Sequence, residues 1–468
     1  MPSTAPDSGS NYPIPTLGSA RRSRLLTGWG GTAPSTASVC RPTSPVDLSE
    51  ALIGLPERGV VGRGMGRGYG DGAQNAGGLV VDTTGVIDFH LDPSTGIVRA
   101  SAGASLDALM RELVPRGFFV PVTPGTRYIT VGGAVAADIH GKNHHGVGSW
   151  GNHVVSIRLA LRDGSAAEIS PSEQPELFWA TVGGMGLTGL ILEVTFRCPS
   201  IETSRLLVDT DRAPDLDTVL DLMETGDDGY DYSVAWIDPM AGGRHLGRSV
   251  LTRGRFAQPG ELDRSDRDPL AYDPKMVAGL PPLLPSGLIN RLSVRAFNEL
   301  WYRKAPVRRR DEVQSIPAFF HPLDMVDRWN RIYGARGFVQ WQYALPFGSE
   351  DVVRGTIEAL SATRCTSFLA VLKRFGPANP APLSFPIPGW TLAVDIPTGL
   401  PGLAGLLDRL DQQVADAGGR IYLAKDSRLR PELVPVMYPR LDEWKAIRDA
   451  VDPDHRFQSD LSRRLDLT

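Results

Sequence analysis

Short runs in which apolar and polar residues alternate, separated by turn residues, occupy the chain between residues 58 and 195. Alternation with a period of two predicts strands with one buried face. The segments 92–96 and 163–164 are turn sequences between neighbouring runs, and the second, Asp-Gly, is typical of a hairpin. The strands predicted in this half of the chain are 79–82, 87–91, 97–103, 154–162, 166–170 and 187–197.

Apolar residues with helical spacing also occur, and they mix with the strands. A helix is predicted after Ser105, a suitable N-cap, and ends at Gly117. Its buried face would carry Leu106, Leu109, Met110 and Leu113. The other predicted elements are helices at 175–184, 215–223 and 403–418, strands at 232–238, 337–346, 366–376 and 389–397, and a helical C-terminal tail. The order shows no regular βαβ repeat, so an α+β fold is predicted.

The composition is that of an ordinary folded protein, with 41% apolar and 22% charged residues. A length of 468 residues predicts two or three domains. The net charge of −4 gives no reason to expect nucleic acid as a partner. Cys40, Cys198 and Cys365 are far apart, which argues against a disulfide framework and a C-x-x-C metal site. No stretch approaches the ~20 apolar residues of a membrane-spanning helix.

The beginning of the chain has a different character. Residues 1–19 are rich in Pro, Ser and Gly, and we expect them to be disordered. Arg21 and Arg22 resemble the start of a twin-arginine export signal, but the polar sequence TGWGGTAPST stands where such a signal has its apolar segment. We therefore expect no signal peptide of that kind.

A glycine-rich loop at residues 59–75, GVVGRGMGRGYGDGAQN, is the first candidate for a ligand site. Consecutive backbone N–H groups in such a loop can form a nest that holds a diphosphate. The alternative is a flexible surface turn, but that interpretation does not explain why Arg63, Arg67 and Tyr69 are placed between the glycines. The loop has no G-x-G-x-x-G spacing, which argues against a Rossmann dinucleotide site.

Residues 124–153 combine many glycines with four of the eight histidines. This composition suits backbone that approaches a cofactor closely and does not suit a packed core. His140, His144, His145 and His153 lack an accompanying H-E-x-x-H sequence or cysteine, and the adjacent pair points in different directions, so we expect no metal. Two interpretations stay open: histidines that stabilise a polar loop, and a His140 that faces a flavin.

Two further sequences allow both a chemical and a structural interpretation. Gly184, Gly186 and Gly189 have dinucleotide-binding spacing, but they follow a helix and precede a strand, so a turn is predicted. Lys425 follows a short apolar run that ends near Tyr422. It is either a solvated strand end or a buried lysine whose lowered pKa suits proton transfer.

In their order along the chain, these sequences resemble the decaprenylphosphoryl-β-D-ribose 2-oxidase family, of the vanillyl-alcohol-oxidase (PCMH) type of FAD-binding fold. The resemblance rests on GRGMGRGYGDGAQN, PGTRYITVGGAVAADIHGKNHH, LFWATVGGMGLTG, FHPLDMVDRWN, FGPANPAPLSFPIPGW and YLAKDSR. It runs from about Leu25 to the end. It implies an α+β FAD-binding domain at 20–203, a substrate domain with an antiparallel sheet at 204–418, and a segment at 419–468 that completes the first domain.

The resemblance implies FAD held without a covalent bond, because Arg67 stands where many relatives carry the histidine that is linked to the flavin. The diphosphate is expected on the first glycine loop and on the turns at 125–133, with His140 beside the isoalloxazine. The implied cofactor contacts are Gly62, Arg63, Gly64, Met65, Gly66, Arg67, Gly68, Tyr69, Gly70, Asp71, Gly72, Gly125, Thr126, Thr130, Val131, Gly132, Gly133, Ala137, Asp138, Ile139, His140, Ile191 and Tyr422.

The implied reaction is oxidation of the 2-hydroxyl of decaprenylphosphoryl-β-D-ribofuranose to a 2-keto sugar, by hydride transfer from C2 to flavin N5. Lys425 is expected to contact the reacting hydroxyl as an ammonium donor or as a proton acceptor, and His140 is the second expected catalytic residue. The implied substrate contacts are Gln340, Gln342, Lys373, Phe320, Thr391 and Ala393.

The resemblance also implies partners and a location. A separate NAD(P)H-dependent short-chain reductase would complete the epimerisation that supplies arabinan precursors of the cell wall, and a quinone would accept the electrons. The protein would lie peripherally at the inner membrane, within the cell envelope. The apolar stretch 280–292 would shelter the prenyl chain or touch the membrane; a plain surface loop is the open alternative.

The chain departs from the family pattern at four positions. Ala393 replaces the pocket cysteine that covalent nitro-aromatic inhibitors attack, Thr391 replaces an asparagine, Phe320 a tyrosine and Gly68 a serine. None of these changes removes the expected flavin site. Three of them are expected around the substrate, so an FAD-dependent alditol or aldonolactone oxidase that acts on a different sugar is the alternative.

Overall fold

The computed structural model of the chain describes residues 21–263, 268–276, 278–279, 289–363 and 365–468. The expected disorder of residues 1–19 lies outside the described residues, as does most of the apolar stretch 280–292. The described residues form sheets of four, five, eight and two strands. Helices and strands are mixed along the chain, as the α+β prediction requires.

The four-stranded sheet positions the first glycine loop. Its strands are β1 (Arg22–Leu26), β2 (Ser35–Cys40), β3 (Val60–Arg63) and β4 (Leu79–Asp82), in the order β1-β2-β4-β3. β1 and β2 are antiparallel, whereas β4 is parallel to both β2 and β3. Helix α1 (Pro45–Glu50) lies between β2 and β3 in sequence. Residues 60–63 of the glycine-loop sequence form β3 itself, and its buried Val60 and Val61 fix the start of the loop.

The five-stranded sheet is antiparallel throughout, with the order β5-β6-β9-β7-β8. Its strands are β5 (Phe89–Asp92), β6 (Ile97–Ser101), β7 (Val154–Ala160), β8 (Ala166–Ile169) and β9 (Leu190–Arg197). The helices in this part of the chain are α2 (Leu106–Leu113), α3 (Val131–Ala136), α4 (His144–Val147) and α5 (Pro175–Thr181). The predicted strands are confirmed, with ends that move by one to three residues.

Helix α2 confirms the prediction made from its pattern. Ser105 Oγ accepts a hydrogen bond from Ala108 N at 3.1 Å, and Gly117 has a φ of +79° after the final turn. The four apolar residues expected on the inner face are all buried. The same part of the chain holds one correction: residues 124–153 do contribute to the core, because Val131, Ala134, Val135 and Trp150 are fully buried.

The eight-stranded sheet is antiparallel, in the order β14-β10-β12-β11-β17-β18-β16-β19, and β13 and β15 form a separate parallel pair. The strands are β10 (Arg205–Ala213), β11 (Tyr232–Ile237), β12 (Ser249–Phe256), β13 (Ala278–Gly279), β14 (Arg308–Ser315), β15 (Val326–Asp327), β16 (Phe338–Pro346), β17 (Ala370–Phe375), β18 (Gly389–Pro397) and β19 (Arg420–Ile421). The helices are α6 (Leu216–Gly226), α7 (Arg291–Lys304), α8 (Ile316–Phe320), α9 (Glu350–Ala362), α10 (Leu403–Asp416), α11 (Val434–Met437), α12 (Leu441–Val451) and α13 (Asp460–Arg464).

The central strands of this sheet have one apolar and one polar face, because side chains alternate along a strand. Trp341, Tyr343 and Leu345 of β16 belong to an apolar core that includes residues of α9 and α10. The opposite face carries polar side chains in register, with Gln340 paired to Asp395 and Lys373 paired to Thr391. The alternation therefore gathers the predicted substrate residues of three strands on one surface.

The C-terminal segment contacts the eight-stranded sheet and the four-stranded sheet. Residues 420–421 pair with β16, while Val60 N donates to Arg456 O at 2.7 Å and Gln458 N donates to Val60 O at 2.9 Å. The limits given for the domains stay a prediction. None of the helices within the described ranges is both long and apolar enough to cross a membrane.

Candidate active site

The glycine loop lies between residues 28–30 on one side and a turn at 424–426 on the other. Trp29 N donates to Gly68 O at 2.8 Å, and Tyr69 N donates to Ala424 O at 3.0 Å. A Cβ atom on Gly70 would overlap the carbonyl oxygen of Asp426. Glycine is needed here because backbone approaches backbone too closely for any side chain. This packing brings Lys425 next to the loop.

The backbone of this loop fits the diphosphate of FAD. Gly66 has a φ of +64°, a conformation that turns successive N–H groups toward one side. Five successive backbone N–H groups of the loop have no acceptor among the residues that the structure describes. They belong to Gly64, Met65, Gly66, Arg67 and Gly68. A run of free backbone donors supplies the chemistry that an anionic diphosphate requires. The residues present therefore suit the group, although none of the individual contacts is tested.

Arg63 and Asp71 hold the loop in place by their side chains. Arg63 donates to Ala73 O at 2.9 Å and to Thr27 O at 2.8 Å. Asp71 accepts two hydrogen bonds from Arg464, at 2.8 and 2.9 Å. Both charged side chains therefore have partners within the protein that hold the loop, and their expected contacts with the cofactor stay a prediction.

The second glycine segment is stabilised in a similar way by Asp138. Its buried carboxylate accepts hydrogen bonds from Gly151 N at 2.8 Å, Ser149 Oγ at 2.7 Å, Asn379 Nδ2 at 2.7 Å and Ser384 Oγ at 2.5 Å. Burial raises the pKa of this carboxyl, and the four donors oppose that increase. Asp138 therefore joins the segment to residues 379–384, and its expected contact with the cofactor stays a prediction.

The amides that begin α3 are largely occupied by the protein. Val131 N donates to Ala104 O and Gly132 N donates to Ala102 O, both at 2.9 Å, while Thr130 Oγ1 accepts from Gly133 N at 3.2 Å. A contact of Val131 or Gly132 with FAD through its amide is thus not available. Several other expected contacts with FAD stay predictions. They are Gly62, Gly72, Gly125, Thr126, Ala137, Ile139, Ile191 and Tyr422.

His140 lies at the centre of the predicted residues. Its Nε2 is 3.0 Å from Gln342 Nε2, and its Nδ1 is 2.9 Å from Lys373 Nζ. The ring packs against the aromatic rings of Phe375 and Tyr422, with centroid distances of 4.8 and 5.4 Å. Burial and the nearby Lys373 charge hold the pKa of His140 well below its usual value, so the imidazole is neutral at pH 7.

Lys425 is half-buried in the turn after β19, which favours the interpretation as a shielded lysine over that of a solvated strand end. Its Nζ lies 3.9 Å from the centroid of the Tyr69 ring. Burial lowers the pKa of Lys425 to about 7, and the charge of Asp395 opposes this decrease. A lysine with such a pKa exists in both protonation states at neutral pH and can accept or donate a proton.

Asp395 is the partner that the sequence analysis missed. Its carboxylate is fully buried and accepts a hydrogen bond from Gln340 Nε2 at 2.5 Å and one from Tyr333 OH at 3.4 Å. Burial raises the pKa of Asp395 to about 7, against the effects of Gln340 and the Lys425 charge. The sequence did contain a signal for Asp395: it is a carboxylate on the polar face of a predicted strand whose other face is apolar.

The predicted substrate residues divide into two groups. Gln342 Nε2 donates to Thr391 Oγ1 at 3.1 Å, and Ala393 pairs with Gln342 across the strands, so these residues do lie together. The Phe320 ring is buried in an aromatic cluster, with the Tyr232 centroid at 4.8 Å. Its expected place around one pocket with Thr391 and Ala393 stays a prediction.

Lys142 is a second residue that was missed. Its Nζ donates to Phe319 O and lies 4.0 Å from the centroid of the Phe319 ring. Burial lowers the pKa of Lys142 to about 7. A usable signal existed in the composition: lysine accounts for only six of the 49 basic residues, and Lys142, Lys373 and Lys425 are half of them. Lysine, unlike arginine, changes its protonation state when buried.

The remaining histidines serve separate parts of the structure. His144 Nδ1 accepts from Gly376 N at 3.2 Å, and His145 Nε2 lies 2.8 Å from Tyr230 O. The part of the chain that the structure describes contains no group of three or more His, Cys, Asp or Glu placed to hold a metal. Gly184 and Gly186 lie in a turn between α5 and β9, as predicted.

Comparison with known proteins identifies relatives of the chain. Residues 36–170 match the model of an FAD binding domain. The chain is 45% identical to the decaprenylphosphoryl-β-D-ribose oxidase of Mycolicibacterium smegmatis over 451 residues, which cover 95% of this chain and 98% of the relative. It is 39% identical to an uncharacterized protein of Streptomyces coelicolor, over 78% of this chain and 100% of that one. It is 23% identical to an L-gulono-1,4-lactone dehydrogenase of Mycobacterium tuberculosis, over 95% of this chain and 99% of that one.

The family model covers the glycine loop, and the match to the oxidase of M. smegmatis covers almost the whole chain. They confirm the α+β fold of the vanillyl-alcohol-oxidase type and FAD as the cofactor. They also confirm that the protein is an FAD-dependent oxidoreductase. The chain belongs to the decaprenylphosphoryl-β-D-ribose oxidase family.

Proposed function

We propose that this protein oxidises the 2-hydroxyl of decaprenylphosphoryl-β-D-ribofuranose to the 2-keto sugar. The observation that carries the proposal is the position of half-buried Lys425 directly beside the glycine loop, with its Nζ 3.9 Å from the centroid of the Tyr69 ring and under the influence of the buried Asp395 charge. The similarity to the oxidase of M. smegmatis over almost the whole chain supports the choice of substrate. FAD, when bound, supplies the two-electron oxidation of the sugar carbon.

Lys425 Nζ is the group proposed to take the proton of the 2-hydroxyl. A neutral amine with a pKa near 7 is a suitable general base at neutral pH, and general-base catalysis contributes about 10²–10⁴-fold. Asp395 keeps the pKa of this amine from falling further, because its charge favours the ammonium form. The proton therefore stays on Lys425 after it has left the sugar.

His140 and the glutamines are proposed to position the sugar. The neutral imidazole is held between Gln342 and Lys373, at 3.0 and 2.9 Å, so its orientation is fixed from both sides. Thr391 Oγ1 donates to Tyr343 O at 2.8 Å, which fixes its rotamer on the same face. A preorganised set of this kind loses little entropy when the substrate binds.

The departures from the family pattern are compatible with this assignment. Thr391 and Ala393 lie on the polar face beside Gln342, and Phe320 lies in the aromatic cluster beyond it. No hydrogen bond of Lys425 or Asp395 depends on these three side chains. The support for the alternative, an alditol or aldonolactone oxidase, is the similarity to L-gulono-1,4-lactone dehydrogenase. That similarity is weaker than the similarity to the oxidase of M. smegmatis.

The proposed substrate implies a place and partners for the reaction. We propose peripheral contact with the inner membrane, a quinone as electron acceptor and a separate NAD(P)H-dependent reductase that returns the ketone as the arabino epimer for arabinan synthesis in the cell wall. The support is chemical: a prenyl chain resides in a membrane, and a 2-keto sugar needs a hydride donor to become the epimer.

Anaerobic bleaching of the flavin tests the proposed function. Purified holoenzyme is mixed with farnesylphosphoryl-β-D-ribofuranose, with free alditols and with aldonolactones, and the product is identified by mass spectrometry. We expect bleaching by the lipid-linked sugar alone, with a product two hydrogens lighter. Bleaching by an alditol or a lactone alone would instead assign the protein to the alternative function.

A further inference from the structure

Two half-buried lysines of the site have no acidic partner among the residues that the structure describes. Lys142 Nζ donates to Phe319 O, and Lys373 Nζ lies 2.9 Å from His140 Nδ1. Among the described residues, the lysine that forms an ion pair is the exposed Lys275. An ammonium group has three N–H donors, so Lys142 and Lys373 each keep two that no described protein group accepts.

The surroundings of this pair are neutral or positive. Burial and then the charges of Lys425 and Lys142 lower the pKa of Lys373 to about 7. The titratable groups near the pair are His140, His144 and His321, whose pKa values are all held below the usual value of histidine. Asp395 acts on Lys425 but not on this pair.

The two lysine side chains are half-buried, so each keeps some surface that a ligand can reach. A cation that is partly removed from water without an acidic partner is unfavourable. Two such groups that also repel each other therefore favour an anion beside them. Phosphate oxygens make strong charge-assisted hydrogen bonds with lysine.

We propose that Lys142 and Lys373 form a subsite for a phosphate ester. Two sources have this chemistry: the phosphodiester of the lipid-linked sugar, and the diphosphate of FAD. The first source rests on the proposed function and places the sugar next to His140, which Lys373 contacts. The free backbone donors at Gly64 to Gly68 already suit the FAD diphosphate, so the substrate phosphate is the source that we assign.

Farnesyl phosphate is the probe that tests this subsite, because it carries no sugar and its binding does not depend on the oxidation. It is titrated into wild-type holoenzyme and into Lys142→Met and Lys373→Met variants, and the change in flavin absorbance is followed. Farnesol serves as the phosphate-free ligand. Lys304→Met, at an exposed position on α7, is the matched control.

We expect each site variant to bind farnesyl phosphate about tenfold or more weakly than the wild type, since a hydrogen bond to a charged group contributes about 1.5–3 kcal/mol. Farnesol binding and the Lys304→Met control should stay unchanged. Lys373→Arg, which keeps the charge, should retain more affinity than Lys373→Met. Equal affinity of the wild type and both methionine variants for farnesyl phosphate would overturn the proposal.

Retention of FAD distinguishes the two sources. If the methionine variants release FAD about tenfold more readily but bind farnesyl phosphate normally, the subsite belongs to the cofactor, and our assignment to the substrate is overturned. The test of the phosphate subsite can also fail or succeed independently of the test of the proposed function. A wild-type protein that binds farnesyl phosphate through these lysines but is not bleached by the lipid-linked ribose would retain the subsite and lose only the proposed reaction.

Discussion

The Nζ atom of Lys425 lies over the face of the Tyr69 ring, 3.9 Å from its centroid. Tyr69 belongs to the first glycine loop, and its own amide donates to the carbonyl of Ala424, the residue before the lysine. The loop suited to FAD and the residue suited to proton transfer are therefore one packed unit. Cation–π contact of this kind favours the ammonium form by about 0.5–2 kcal/mol, in the same direction as the charge of Asp395.

Replacing Lys425 separates catalysis from cofactor binding. Lys425→Met should retain FAD, because the glycine loop binds through its backbone, but its turnover should fall by about 10²–10⁴-fold with the loss of the base. Flavin absorbance and single-turnover bleaching measure the two properties. Lys304→Met serves as the control, and near-normal turnover in Lys425→Met would remove the role assigned to this lysine.

Removing the Asp395 charge should shift the pH dependence of the reaction to lower pH. Asp395 raises the pKa of Lys425, so in Asp395→Asn that pKa decreases and the neutral amine becomes available in more acidic solution. The plot of kcat/KM against pH reports the free enzyme, and its acidic limb should shift to lower pH. An unchanged limb, or one that moves up, contradicts the coupling.

Two glycines of the same loop should respond differently to a small side chain. A Cβ on Gly70 would overlap the carbonyl oxygen of Asp426, whereas the nearest atom to a Cβ on Gly68 is Ala424 O at 3.5 Å. Gly70→Ala should therefore lose FAD and stability, while Gly68→Ser should keep both. Flavin content after gel filtration measures the effect, and equal FAD content in the two variants would count against this account of the loop.

The carboxylate of Asp138 should be important for stability. Asp138→Ala removes an acceptor with four donors and leaves buried polar groups unpaired, so the free energy of unfolding should fall by about 3–5 kcal/mol. Urea unfolding measures this. Asp454→Ala removes a pair with Arg162 that is exposed on both sides and should change stability by at most about 1 kcal/mol. Similar losses in both variants would refute the role of Asp138.

The burial of the cysteines predicts that the protein resists thiol-directed inhibitors. Cys198 and Cys365 are buried, which raises the pKa of each thiol to about 12, and the pocket position carries Ala393. A nitro-aromatic inhibitor should form no covalent adduct with the wild type, as intact-protein mass spectrometry would show. Ala393→Cys places a thiol beside Gln342 and should gain the adduct; an adduct on the wild type would contradict the prediction.

Sequence patterns predicted the elements of this fold better than the partners of individual charges. Helix α2 and the hairpin of β7 and β8 follow from local spacing and turn residues. By contrast, the hydrogen bonds of Arg63 to Ala73 and Thr27, and of Asp71 to Arg464, did not follow from any sequence pattern. Arg464 is almost 400 residues from Asp71 in the sequence, and no local pattern reports such a contact.

The candidate site shows the same limit. Lys425 was found because the sequence YLAKDSR that carries it resembles the family, whereas Asp395 and Lys142 were missed because their importance comes from burial beside other strands. The register of β16, β17 and β18 creates that environment. A shift of one residue would turn Gln342 and Asp395 into the core, so the site depends on pairing that sequence alone does not specify.

The central claim, that this protein oxidises C2 of a lipid-linked ribose, is tested most directly with an isotope. Holoenzyme is mixed anaerobically with farnesylphosphoryl-β-D-ribofuranose that carries either hydrogen or deuterium at C2, and the rate of flavin bleaching is compared. We predict bleaching that the deuterium slows by a primary isotope effect. Absence of bleaching, or bleaching at the same rate with both substrates under conditions where bond cleavage limits the rate, would contradict the claim.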